Sequence, residues 1–222
     1  MKKNYKSTVN ACFAGYVVQA IVNNFVPLLF LTFNKSYGIE LSKITALITV
    51  NFILQLCIDL LSAFFIDKIG YRAAAIMAHV FAAAGLVSLT VLPDVLPSPF
   101  VGLLISVVLY AVGGGLLEVI VSPIVEACPT DNKEKMMSLL HSFYCWGSVA
   151  AVGISTLFFA LFSTDNWKIM SLIWAILPIV NAVMFTRVPI APVVGEDEEK
   201  LSIKDMLKTK AFWIFMVLIL CA

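Results

Sequence analysis

The sequence predicts an all-α integral membrane protein: a bundle of six transmembrane helices followed by part of a seventh. Three observations carry that expectation. Of 222 residues, 61% are hydrophobic and 13% charged, with a mean hydropathy of +0.97, a composition that excludes a water-soluble domain. The apolar residues are gathered into six runs, each near the roughly 20 residues that a helix needs to cross the hydrocarbon layer. Lys and Arg collect between these runs, mostly on one side. The formal net charge is +1, which leaves no basic surface for nucleic acid, held by neutralising its phosphates.

The first run, 11–33, follows Lys2, Lys3 and Lys6. It is too long and too rich in amides for a signal-peptide core and reads as an uncleaved span. Gln19, Asn23 and Pro27 share one face at i, i+4 and i+8, with Asn24 beside them: a kinked helix with amides near mid-membrane, suited to neutral polar ligands. The second run, 44–66, carries Asn51, Gln55, Asp59 and Ser62 at i, i+4, i+8 and i+11. This polar stripe either lines a pathway or joins two helices by hydrogen bonds. The third run is 73–92. The fourth, 101–125, holds Gly113, Gly114 and Gly115, which let a backbone or a substrate approach closely, then Glu118, Ser122 and Pro123. The fifth, 136–162, opens with Ser138, His141, Ser142, Tyr144, Cys145 and Trp146, either interfacial anchors or ligand contacts. The sixth is 169–186. Turn formers and charges place the connections at 34–43, 67–72, 93–100, 129–135 and 163–168.

The expected domains are a bundle over 1–188, a linker over 189–210 and the start of span seven over 211–222. The linker holds Pro189, Pro192, the acidic run Glu196 to Glu199, and Lys200, Lys204, Lys208 and Lys210. Ser202 stands three residues before Asp205, a capping-box pattern for a surface helix, and the alternative is a disordered charged linker. The seventh run stops after about 12 residues, too short to cross, so the sequence reads as incomplete, with further spans expected in the intact protein. With the amino terminus placed in the cytoplasm, twelve Lys and Arg fall inside and three outside, Lys35, Lys43 and Lys168. That is the positive-inside pattern of a multi-pass cell-membrane protein.

Two carboxyl groups lie well inside spans, Asp59 and Glu118, each about seven residues, or roughly 10 Å, from the cytoplasmic end. An ionised acid at that depth costs about 2.5–3.5 kcal/mol, and taking up a proton relieves the cost, so such a group suits a proton carrier or a polar substrate contact. A protonated glutamate bonded to a neighbouring helix is the structural alternative. His141 is a further candidate contact. The five cysteines fit neither a disulfide framework nor zinc spacing and read as small apolar residues. No metal set, Gly-x-Ser-x-Gly elbow or Walker-type loop is present, so neither an enzyme nor a cofactor is expected.

The stretch Ala63-Phe64-Phe65-Ile66-Asp67-Lys68-Ile69-Gly70-Tyr71-Arg72 resembles the Gly-x-x-x-Asp-Arg/Lys-x-Gly-Arg/Lys-Arg/Lys loop signature of the major facilitator superfamily, with Ala63 for the first glycine and Tyr71 for a basic residue. The segment from Gly113 to Pro123 is similar to the fourth span of fucose-permease-like facilitators, whose glutamate is implicated in proton and sugar handling. The opening of span five from Leu140 to Gly147 also resembles that group. Ser122 stands where asparagine is common. Asn23-Asn24 resembles its amide pair, and the carboxylate that follows there corresponds here to Pro27.

The resemblance implies the amino-terminal half of a twelve-span secondary transporter, paired with a carboxyl-terminal half absent here. Its cargo is a small polar solute, a sugar among the candidates, moved by alternating access in the bilayer, with protons as a coupling ion. The expected substrate or proton residues are Glu118, Asn23, Asn24, Gln19, Ser122, Asp59, Gln55, Asn51 and His141; Asp67, Lys68, Gly70 and Arg72 would form a conformational-switch loop. The rival readings are an exporter of hydrophobic compounds on the same fold, a membrane-embedded enzyme using Glu118 and His141, and a scaffold that does not transport.

Overall fold

The computed structural model describes residues 5–130, 132–193 and 203–221. Lys2, Lys3, the acidic run Glu196 to Glu199, Lys200 and the Ser202 cap lie outside the described residues. Among those described there is no β-strand, and six helices are long and apolar enough to cross a membrane. The chain divides into two compact units, Met1–Ala191 and Pro192–Ala222.

The first span is broken. Helix α1, Lys6–Asn24, passes through a 3₁₀ turn, Val26–Leu29, into α2, Phe30–Tyr37. Pro27 has no N–H to return to the Asn23 carbonyl, and the turn tightens so that Leu28 N bonds Phe25 O at 3.1 Å. The second to sixth spans are α3 (Leu41–Ile69), α4 (Tyr71–Val95), α5 (Pro99–Ala127), α6 (Lys133–Phe162) and α7 (Trp167–Arg187). Asn132 caps α6, its Oδ1 accepting from Lys135 N at 2.8 Å. In the second unit lie α8, Ile203–Lys208, and α9, Lys210–Cys221.

The connections are shorter than the sequence predicts. Residues 34–43 reduce to 38–40, because α2 continues to Tyr37 and turns at Gly38 (φ 63°), with Asn34 Nδ2 closing onto Ile39 O at 2.8 Å. Residues 67–72 are not a loop. Asp67 and Lys68 sit in the last turn of α3, Tyr71 and Arg72 open α4, and Gly70 alone makes the corner at φ 82°, a backbone state that strains any side chain. Residues 93–100 reduce to 96–98 because α4 runs through Pro93. The common cause is that charges and turn formers mark where a helix leaves the hydrocarbon. The hydrogen-bond ladder itself runs on, which carries the four carbonyls left unpaired at the helix end out of the hydrocarbon to where water can reach them.

Lipid tails are as apolar as leucine, so helices associate through close fit and polar ties. Helix α5 is packed into the bundle through its glycines. A Cβ on Gly113 would stand 2.6 Å from the Ala78 carbonyl of α4, and one on Gly115 would stand 3.0 Å from Ile58 Cβ of α3. The glycine triplet therefore admits neighbouring helices. Arg72 ends α7, donating from Nη1 to Phe185 O at 2.6 Å and from Nη2 to Val188 O at 2.8 Å. Near the other end, Asp94 of α4 accepts from Tyr37 at 2.9 Å and pairs with Lys168. Helices α3 and α6 present leucine, phenylalanine and tryptophan outward, with Trp146 72% exposed.

Candidate functional site

The amide face of α1, the polar stripe of α3 and the aromatic opening of α6 meet around a cavity of about 500 Å³ walled by α1, α3, α5 and α6. Gln19 and Asn23 reach it from α1, Gln55 and Asp59 from α3, Glu118 from α5, and His141 from α6. Six of the nine residues expected to handle substrate or protons thus share one space. Tyr16, Phe52, Tyr144 and Cys145 add aromatic and sulfur-bearing wall.

A hydrogen-bond network fixes this wall. Gln55 donates from Nε2 to Asn23 Oδ1 at 2.7 Å and to Asn51 Oδ1 at 3.0 Å. Asn51 donates to the same Asn23 oxygen at 3.2 Å, and Asn23 Nδ2 donates to the Tyr144 hydroxyl at 3.3 Å. Along the stripe on α3, Asn51 and Gln55, each nearly fully buried, tie α3 to α1, while Gln55 and Asp59 face the cavity. Gln19 Nε2 donates to Glu118 Oε2 at 3.0 Å, joining α1 to α5. Glu118 remains exposed to the space in front of it. The buried Oδ1 of Asp59 has no hydrogen-bond partner among the described residues.

Three expected residues do not line the cavity. Asn24 turns to Ala20 O at 2.8 Å and Ser148 Oγ at 3.2 Å, a tie between α1 and α6. Ser122 Oγ pairs with the Tyr16 hydroxyl at 2.8 Å, and Asn51 stands behind Gln55. Of the residues expected to switch conformation, Arg72 is committed to the end of α7, and Asp67 and Lys68 are helical. The fifth-span cluster divides: His141, Tyr144 and Cys145 face the cavity, and Trp146 faces outward. Cys12 and Cys128 are buried, as small apolar residues would be, whereas Cys57 and Cys145 are exposed.

Tyr16 and His79 were not singled out from the sequence. Tyr16 precedes Gln19 by three and Asn23 by seven, so the helical period already placed it on the amide face; its ring lies 5.6 Å from that of His141. His79 is fully buried between α1, α4 and α7. Its Nδ1 lies 2.7 Å from Ala75 O and its Nε2 2.7 Å from Asn181 Nδ2, which also donates to Ala11 O at 2.9 Å. Asn181 Nδ2 can only donate and the Ala75 carbonyl can only accept, which fits an imidazole with its proton on Nδ1 and its lone pair on Nε2. No local pattern marks this partnership, because Asn181 lies 102 positions away.

The sequence model described as Major Facilitator Superfamily matches residues 11–222. No curated protein matches. Among solved structures the chain is similar to the inward-open xylose transporter XylE from E. coli, with a TM-score of 0.75 at 14% identity, covering 85% of this chain and 49% of that one. It is also similar to a D-xylose–proton symporter (0.70, 16% identity, 96% and 52% covered). A POT family transporter in complex with a thioalcohol-conjugated peptide gives 0.67 at 19% identity, with 96% and 45% covered. At these identities the likeness is one of fold. The chain spans about half the length of these transporters.

Proposed function

Because this chain belongs to the Major Facilitator Superfamily, a family of multi-pass membrane proteins, we propose that it forms one six-helix half of a secondary transporter for a small polar solute, worked by alternating access. The observation that carries the reading is the cavity that joins Gln19, Asn23, Gln55, Asp59 and Glu118 in a membrane-spanning bundle. Polar side chains in hydrocarbon are costly unless they pair or face a wet space; all five face the cavity, and Gln19, Asn23, Gln55 and Glu118 also pair. The apolar outer faces of α3 and α6 flank the cavity and suit a second bundle that completes it. A sugar is one cargo of this kind, as in the xylose transporters of similar fold. The cell membrane is the proposed location, with the amino terminus in the cytoplasm.

In this reading Glu118 carries the coupling proton. Gln19 holds one carboxyl oxygen and leaves the other to the cavity, so proton uptake and solute occupancy act on the same group. Glu118→Gln mimics the protonated form and cannot change charge between the two states. In proteoliposomes holding the full-length transporter, this variant is expected to keep solute exchange and lose uphill accumulation driven by an imposed proton gradient. Wild-type accumulation by the variant would remove Glu118 from the coupling step. Loss of exchange as well would make it a substrate contact.

A further inference from the structure

The polar groups around the cavity are unevenly spent. Gln55 uses both amide hydrogens on Asn23 and Asn51, and the Gln19, Asn23 and Asn51 amides each donate once within the wall. The acceptors are less occupied among the described residues: Glu118 takes one hydrogen bond, and the buried Oδ1 of Asp59 takes none. Among the described residues that line the cavity, none is Lys or Arg, and His141 is the only base. Two carboxyl groups from facing helices thus look into a space bounded by the rings of Tyr16, Phe52 and Tyr144. A neutral polyol meets no such excess of acceptors in its own chemistry, since each hydroxyl both donates and accepts. An ammonium only donates, and its charge and carbon substituents are favoured by carboxylates and aromatic faces respectively.

We propose that this cavity selects a small organic cation, its ammonium held between Asp59 and Glu118 and its apolar part against Tyr16, Phe52 and Tyr144. The proposal rests on the transporter reading and narrows its solute to one bearing an amine, an amino sugar being a form that keeps both features. Coupling and selection then use the same pair: one carboxylate answers the ammonium while the other exchanges a proton.

Cys145, exposed in the cavity wall, reports the local charge without any engineered probe. Full-length protein in proteoliposomes would be treated with cationic trimethylammonioethyl or anionic sulfonatoethyl methanethiosulfonate, with labelling of the Cys145→Ser protein subtracted. A cleft of one sign raises the local concentration of the opposite charge, so the cation-to-anion rate ratio should exceed that of free cysteine by about tenfold or more at low salt. It should fall towards the free-thiol ratio as salt rises, and in folded Asp59→Asn and Glu118→Gln proteins. Tetraethylammonium and D-glucosamine should slow the labelling, and D-glucose at the same concentration should not. A salt-independent ratio equal to that of free cysteine in the wild-type protein overturns the proposal whether or not the variants fold. Equal protection by D-glucose and D-glucosamine also overturns it and leaves the transporter reading standing. A Cys145 inaccessible to both reagents from both sides of the membrane removes the open cavity, and with it both readings.

Discussion

Gln55 shows how one side chain serves both packing and the site. Its amide bonds Asn23 on α1 and Asn51 on its own helix, while α5 passes so close that a Cβ on Gly114 would stand 3.2 Å from its Nε2. Gln55→Leu would keep most of the volume and leave the Asn51 oxygen without this donor. A buried acceptor so orphaned costs about 1–3 kcal/mol. Thermal unfolding of the purified full-length protein should show a clear loss of stability, and an unchanged melting curve would mean that the network is slack. At this scale the sequence was partly legible. Asp59, Glu118, Gln19 and Asn23 stood out as polar exceptions, and all four reach the cavity. Asn24, Ser122 and Asn51 stood out equally and serve inter-helix ties instead, because a polar residue in a span looks the same whether its partner is a solute or the next helix.

At the scale of the helix, small residues decide how closely spans pack. The Gly113 position allows no Cβ without moving the α4 backbone at Ala78 and Ala82, whereas a Cβ on Gly153 in α6 would meet nothing within 4 Å. Gly113→Ala is therefore expected to lower the yield of folded protein sharply. Gly153→Ala should hold or improve it, since alanine gains about 0.5–1 kcal/mol over glycine in a helix interior. Size-exclusion profiles of the two variants provide the check, and equal behaviour would contradict the tight crossing of α4 and α5. The existence of each span was legible because length and hydropathy are local. The helix ends were not, because Asp67 and Lys68 are compatible with a loop and with a last helical turn, and only the bond from Gly70 N to Ile66 O at 2.8 Å distinguishes them.

For the whole molecule, the excess of Lys and Arg on one side, twelve against three, predicts that the amino terminus, the Gly70 corner, the 129–135 connection and the 189–210 segment face the cytoplasm. Single cysteines introduced at these four places should resist an impermeant maleimide added outside intact cells and react after permeabilisation. Labelling of any of them from outside would reverse the topology. By itself the sequence determined the class of molecule, six spans, and the polar and acidic residues that those spans carry, because hydropathy and helical period act over stretches of about 20 residues. Tertiary structure alone decided which of those residues share a cavity, that the glycine triplet receives helices, that Arg72 ends α7, and that His79 and Asn181 hold α1, α4 and α7 together. The reason is physical. In hydrocarbon every polar group must find a partner, and that partner usually belongs to a helix distant in sequence, so its identity depends on how the helices cross.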